Sequence, residues 1–87
     1  MPCVYIPPLI RRLTDGTETV EVEAGSVREA IARLEELYPG VADRLCQDGE
    51  MKPGISVAVN GNVCSRGVLQ KLTADDEVHF LPAIGGG

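Results

Sequence analysis

Eighty-seven residues, 44% hydrophobic and 24% charged, make one domain, because neither half of so short a chain could bury its own core. Thirteen Asp and Glu against eight Lys and Arg leave a net charge of -5, and there is no Trp, one Phe and two Tyr, so binding to nucleic acid or to an anionic membrane is not expected. No apolar run is long enough for a transmembrane helix or a signal-peptide core, which makes the cytoplasm the expected address.

Cys3 to Ile6 reads as a strand with Val4 and Ile6 on its inner face. Pro7-Pro8 interrupts pairing, and residues 9–13 are expected to resume it at an edge. Asp15-Gly16 is a hairpin signal, and residues 17–23 then alternate, with Val20 and Val22 inward and Glu21 and Glu23 outward. Ser26 opens the strongest helix of the chain, and Glu29 completes a capping box. Val27, Ala30, Ile31, Leu34, Leu37 and Tyr38 recur at helical spacing as one apolar stripe. Arg28, Arg33, Glu35 and Glu36 form the solvated side. Pro39-Gly40 ends the helix, and residues 41–45 add a short turn. The stretch 47–54 reads as a surface loop. Ile55, Val57 and Val59 are the inner face of a strand, Asn60-Gly61 is a turn, and residues 62–64 return. Val68, Leu69 and Leu72 are expected to reach the core from a connector. After a turn at 73–76, residues 77–82 form the last strand, with Val78 and Phe80 inward.

One helix with one apolar stripe must pack on one face of a single mixed sheet of four to five strands. The two strands flanking the helix are expected to be a parallel pair joined right-handedly. This order defines an α+β domain of the β-grasp, or ubiquitin-like, kind over residues 1–82. Residues 83–87 follow it as a flexible glycine tail.

Enzymatic constellations are absent from the sequence. It holds no nucleophile elbow, no H-E-x-x-H pair and no phosphate-cradling loop. Cys3, Cys46 and Cys64 are odd in number and far apart, and His79 is the lone histidine, too few ligands for a metal. Cys46 and Cys64 read as small buried or half-buried hydrophobes and Cys3 as a strand residue near the terminus, and three free thiols suit a reducing compartment. His79 alternates with inward neighbours and is expected to face solvent. Asp75, Asp76 and Glu77 read as a solvated turn. The chain is therefore expected to be no enzyme and to bind no cofactor itself.

The tail carries the chemistry. Glycine-rich ends are common as frayed termini, but Gly85-Gly86-Gly87 leaves the last strand directly. Five residues past that strand extend up to about 17 Å, enough to thread another protein's pocket. Without a Cβ, Gly85 and Gly86 fit a narrow channel, and the Gly87 carboxylate is unhindered. Such a carboxylate can attack the α-phosphate of ATP in a partner's site to give an acyl-adenylate. A sulfur donor can then displace AMP and leave a thiocarboxylate, or an amine can displace it to form an amide.

The ending Leu81-Pro82-Ala83-Ile84-Gly85-Gly86-Gly87 resembles that of the ThiS/MoaD family of β-grasp sulfur carriers. "LEELYPG" at 34–40 with Arg44-Leu45, "VAVNG" at 57–61 and Asp76-Glu77-Val78 extend the resemblance over the whole chain. The resemblance implies a carrier whose Gly87 is adenylated by a ubiquitin-activating-enzyme-like adenylyltransferase, the ATP being that enzyme's, and is then charged by a sulfur donor. An acceptor enzyme of a biosynthetic pathway takes the sulfur. By the same resemblance, the long middle of the chain implies a molybdopterin-synthase small-subunit-like or cysteine-synthesis-like carrier, and "YPG" followed by Arg44-Leu45 leans slightly to the latter, which the resemblance leaves open. The resemblance also implies that Leu81 and Ile84 dock the partner. A protein modifier joined through Gly87 to lysines shares the tail chemistry, and a β-grasp interaction module with an inert tail is a third reading.

Overall fold

The computed structural model describes residues 1–82. Strands β1 (Cys3–Tyr5), β2 (Thr19–Glu21), β5 (Ile55–Val59), β6 (Asn62–Val63) and β7 (Glu77–Pro82) form one mixed sheet in the order β2-β1-β7-β5-β6. Helix α1 (Val27–Leu37) covers its inner face, followed by the short α2 (Val41–Leu45). A separate ribbon pairs β3 (Cys46–Gln47) with β4 (Glu50–Met51).

The parallel pair is not the one expected. Strands β2 and β5, which flank α1, run in the same direction but are separated by β1 and β7, and it is β1 and β7 that pair in parallel. The reason lies in the free edges. Each of β1-β2 and β5-β6 is an antiparallel pair with one edge open, and β7 fills the gap between them. Two-stranded ribbons are marginal alone, so the last strand turns two weak pairs into one sheet.

The chain between β1 and β2 is also corrected. Residues Pro8–Thr14 form a 3-10 helix where an edge strand was expected. Pro8 sits in its first turn, where a missing N–H costs nothing and a fixed φ is already helical. Asp15 at φ 54 closes the helix in the left-handed region, and Gly16 at φ 83 continues the turn into β2. Asp15-Gly16 therefore does turn the chain, as the end of a longer connection between paired strands.

Helix α1 is capped as its sequence demands. The Ser26 hydroxyl accepts from the Glu29 N–H at 3.2 Å, while the Glu29 carboxylate reaches back to the Gly25 N–H at 2.9 Å, one residue before the cap. Val27, Ala30, Ile31 and Leu34 are buried and Tyr38 half-buried, but Leu37 is 58% exposed. At 3.6 residues per turn Leu37 lies about 70° from the mid-line of the stripe, off the sheet. Leu69, at 56% exposure, also stays outside, whereas Val68 and Leu72 are buried. Residues 67–69 form a 3-10 turn, whose tight winding points neighbouring side chains apart. The remaining core is Val4, Ile6, Val22, Val57, Val59, Val78 and Phe80 from the sheet, with Ile10, Val41 and Leu45 closing one end. Ile55 and Val20, expected inward, are half-buried at its margin.

The stretch taken as a loop holds the β3-β4 ribbon, turned by Asp48 at φ 55 and Gly49 at φ 79. Asn60 at φ 52 and Gly61 at φ 85 turn β5 into β6 as expected.

Two carboxylates hold corners of the fold. Glu35, expected to be solvated, is half-buried and accepts from the Ala42 N–H at 2.9 Å and the Gly40 N–H at 3.1 Å, pinning α2 to α1. Asp76 accepts from the Thr73 N–H at 2.7 Å and from the Asn60 amide at 2.8 Å, while the Asn60 carbonyl oxygen accepts from the Glu77 N–H at 2.9 Å. That network ties the Asn60 turn to the start of β7. Backbone N–H groups lower both acids' pKa values, those of Ala42 and Gly40 for Glu35 and that of Thr73, with the Asn60 amide, for Asp76. A depressed folded-state pKa stabilises the fold above the unfolded value, about 3.9 for Asp and 4.3 for Glu, and the gain is lost as pH falls through the folded value. Urea melts from about pH 6 to about pH 3 should show falling stability. The Glu35→Gln/Asp76→Asn double variant should be weaker at neutral pH and lose less on acidification. An acid limb as steep as wild type would remove these two groups as its cause.

Candidate functional site

The geometry converges on one end of the sheet. Because β1 and β7 are parallel, their C-terminal ends lie side by side. Pairing between them reaches Tyr5 opposite His79, after which Pro7-Pro8 turns away. Strand β7 continues alone on that side, held only by β5, with Leu81 opposite Ser56 and Pro82 opposite Ile55. The chain is thus delivered out of the centre of the sheet by a strand already half released from its neighbours.

Leu81 stands where the alternation puts it. Val78 and Phe80 are buried under α1, and Leu81, on the opposite face, is 41% exposed. Ile84, Gly85, Gly86 and Gly87 lie outside the described residues, as does the expected tail segment 83–87.

The outer face of the sheet carries a rung that the sequence did not reveal. Thr19, Tyr5, His79, Ala58 and Val63 lie in register across all five strands. At its centre the rings of Tyr5 and His79 stack with centroids 4.1 Å apart and planes 12° apart. His79 is half-buried by this stack and does not stand free in solvent, and its Nε2 lies 3.7 Å from Glu77. Glu77 in turn raises the pKa of the Tyr5 phenol. Alternation alone places His79 on this face, but only cross-strand register shows its aromatic partner.

Nothing in the described residues assembles a catalytic centre. All three cysteines are free and half-buried. Burial, with the charges of Glu21 and Glu77, pushes the Cys3 thiol up, and burial pushes up Cys46, so neither is held as a nucleophilic thiolate. Among these residues no three His, Cys, Asp or Glu side chains are grouped to hold a metal ion. Among the described residues no helix is long and apolar enough to cross a membrane. A depression of about 580 Å³ opens between Met1-Pro2 and the start of α1, and no Cys, Ser or His is among its lining residues.

The fold defines a ubiquitin-like β-grasp domain whose last described strand, β7, lies at the centre of the sheet. Comparison with known proteins places it more narrowly. The ThiS family model matches residues 4–87, and the chain belongs to that family. It is 33% identical over 89 aligned residues to the sulfur carrier protein CysO of Mycobacterium tuberculosis, covering 97% of this chain and 96% of that protein. It is 38% identical over 64 residues to small archaeal modifier protein 3 of Haloferax volcanii, covering 71% and 70% of the two chains. A chain of the crystal structure of the Amycolatopsis orientalis BexX/CysO complex superposes with a TM-score of 0.90 at 30% identity, with full coverage of both chains.

Proposed function

We propose that this chain is a sulfur carrier that works through the carboxylate of Gly87. The observation that carries the reading is the match of the ThiS family to residues 4–87, a span that reaches from the first strand to the last glycine. Supporting it, the relative matched over nearly the whole chain is a sulfur carrier protein by name. In the proposed cycle a ubiquitin-activating-enzyme-like adenylyltransferase binds ATP. The Gly87 carboxylate attacks its α-phosphate, pyrophosphate leaves, and a donor at the sulfide level displaces AMP to give the thiocarboxylate. Gly85 and Gly86 thread the channel, Leu81 and Ile84 anchor the body, and an acceptor enzyme takes the sulfur. The likeness to CysO favours an acceptor in cysteine synthesis over a molybdopterin-synthase role. The chain contributes no catalytic group and binds no cofactor of its own.

A second reading, a modifier joined through Gly87 to lysines, is favoured by the likeness to small archaeal modifier protein 3. Intact mass of the protein from its native cells separates the two. One oxygen replaced by sulfur marks the carrier, and high-mass conjugates mark the modifier. Neither species would leave the tail without a role.

Docking through Leu81 has its own test. An exposed leucine beside the departing tail anchors a partner if its surroundings become buried on binding. Leu81→Glu should raise KM for the carrier in pyrophosphate exchange about tenfold or more while leaving the melt unchanged. Unchanged KM would end that role for Leu81. Raised salt should slow association, because the acidic chain meets a basic partner.

A further inference from the structure

An apolar groove of about 360 Å³ opens beside the end of β7. Its apolar lining includes Pro7 and Pro8, Leu45 of α2, Ile55 of β5, and Phe80 and Leu81 of β7. Arg44 is its only charged lining residue. Arg44 is exposed, and among the described residues no carboxylate lies within ion-pair distance of it. On a chain of net charge -5, an unpaired guanidinium at the lip of an apolar groove is a local reversal of charge. Its planar fork binds a carboxylate or a phosphate through two parallel hydrogen bonds, and on a protein partner the matching group is an Asp or Glu.

We propose that the groove seats a segment of the enzyme that adenylates the tail, with a bulky aliphatic side chain in the groove and an adjacent Asp or Glu on Arg44. The proposal rests on the carrier reading and adds the recognition that precedes its chemistry. Position selects the occupant. Pro82, the last described residue, pairs with Ile55, itself a lining residue, so a protein that engages the chain from Pro82 onward comes within reach of the groove. Adenylation is the step that carrier and modifier share, so the activating enzyme is the partner both require. Charge supplies the specificity. The acidic surface draws a basic partner, and one acid placed for Arg44 rejects basic surfaces that lack it.

The test uses the full-length chain and its purified adenylyltransferase. Arg44→Glu should weaken binding measured without ATP about tenfold or more. In pyrophosphate exchange it should raise KM and leave kcat unchanged, because Arg44 touches no reacting atom. Arg44→Lys, which keeps the charge and loses the fork, should fall between. Arg44 is exposed, so both variants should melt as wild type does.

If Arg44→Glu binds normally while a chain extended past Gly87 is inert, the groove proposal falls and the carrier reading stands. If the extended chain is adenylated normally, the carrier reading falls and takes the groove proposal with it. Methyl NMR of the free protein checks the other occupants. A chain ending at Pro82 keeps every residue of the core described from Val4 to Phe80. Unchanged Ile55 and Leu45 methyl shifts on that truncation, and on dilution, are expected. Shifts on truncation would assign the groove to the chain's own tail, and shifts on dilution to a second copy. Either would overturn the proposal.

Discussion

A chain carrying one extra residue after Gly87 is expected to be inert to its adenylyltransferase. The extension converts the Gly87 carboxylate into an amide, which is no nucleophile towards phosphorus. It also places the new carboxylate one residue, about 3.5 Å, beyond the α-phosphate of bound ATP. Misplacement of about 1 Å can cost two orders of magnitude in rate, so exchange should fall by at least about a hundredfold. Gly86→Ala is the milder companion. It adds one methyl and restricts φ, and in a channel sized for bare backbone it should lower exchange without touching the carboxylate. Neither change alters a residue of the core described from Val4 to Phe80, so both variants should melt at the wild-type temperature. The measurement is ATP–pyrophosphate exchange beside a thermal melt. Normal exchange by the extended chain would exclude carrier and modifier alike and leave the inert-tail module.

What was legible in the sequence was local, and what was missed depended on distant segments. The Ser26 cap and the Asn60-Gly61 turn were readable because each is set by a few adjacent residues. The parallel partner of β1 was not readable, because it depends on which strand edges remain free once two separate ribbons have formed. Pro7-Pro8 announced an end to pairing, but Pro8 is as good a helix start as a strand break. Asp48-Gly49 was a readable signal passed over, a dipeptide of the hairpin type in a stretch too polar to suggest strands. Of the candidate site, Leu81 was legible from alternation, and the tail chemistry from the covalent end of the chain. The groove was not. Arg44, Pro7 and Ile55 come from three remote segments, and only the sheet register and the seat of α2 bring them together.

The helix stripe separates a core leucine from a surface one three residues away. Leu34 is fully buried, in the core of which Val4, Val57 and Val78 form part, whereas Leu37 is 58% exposed. Truncating Leu34 removes burial worth about 1.5–3 kcal/mol and leaves a cavity that a closely packed sheet fills poorly. Leu34→Ala should therefore cost about 2–5 kcal/mol. Leu37→Ala exchanges one good helix former for another at a largely solvated site, and should stay within about 0.5 kcal/mol. A domain of this size has roughly 4–13 kcal/mol in total, so the Leu34 change consumes much of the margin. At about 4–8 °C per kcal/mol its Tm should drop by about 10 °C or more. Urea denaturation of the two variants, with midpoint and slope both fitted, measures the difference directly. Adenylation measured well below the melt should survive in both, because the helix lies on the face of the sheet opposite Leu81. Equal losses of stability would place Leu37 in the core and overturn the assignment of the helix face, whereas a loss confined to Leu34 fixes α1 on the sheet by the stripe Val27, Ala30, Ile31 and Leu34 alone.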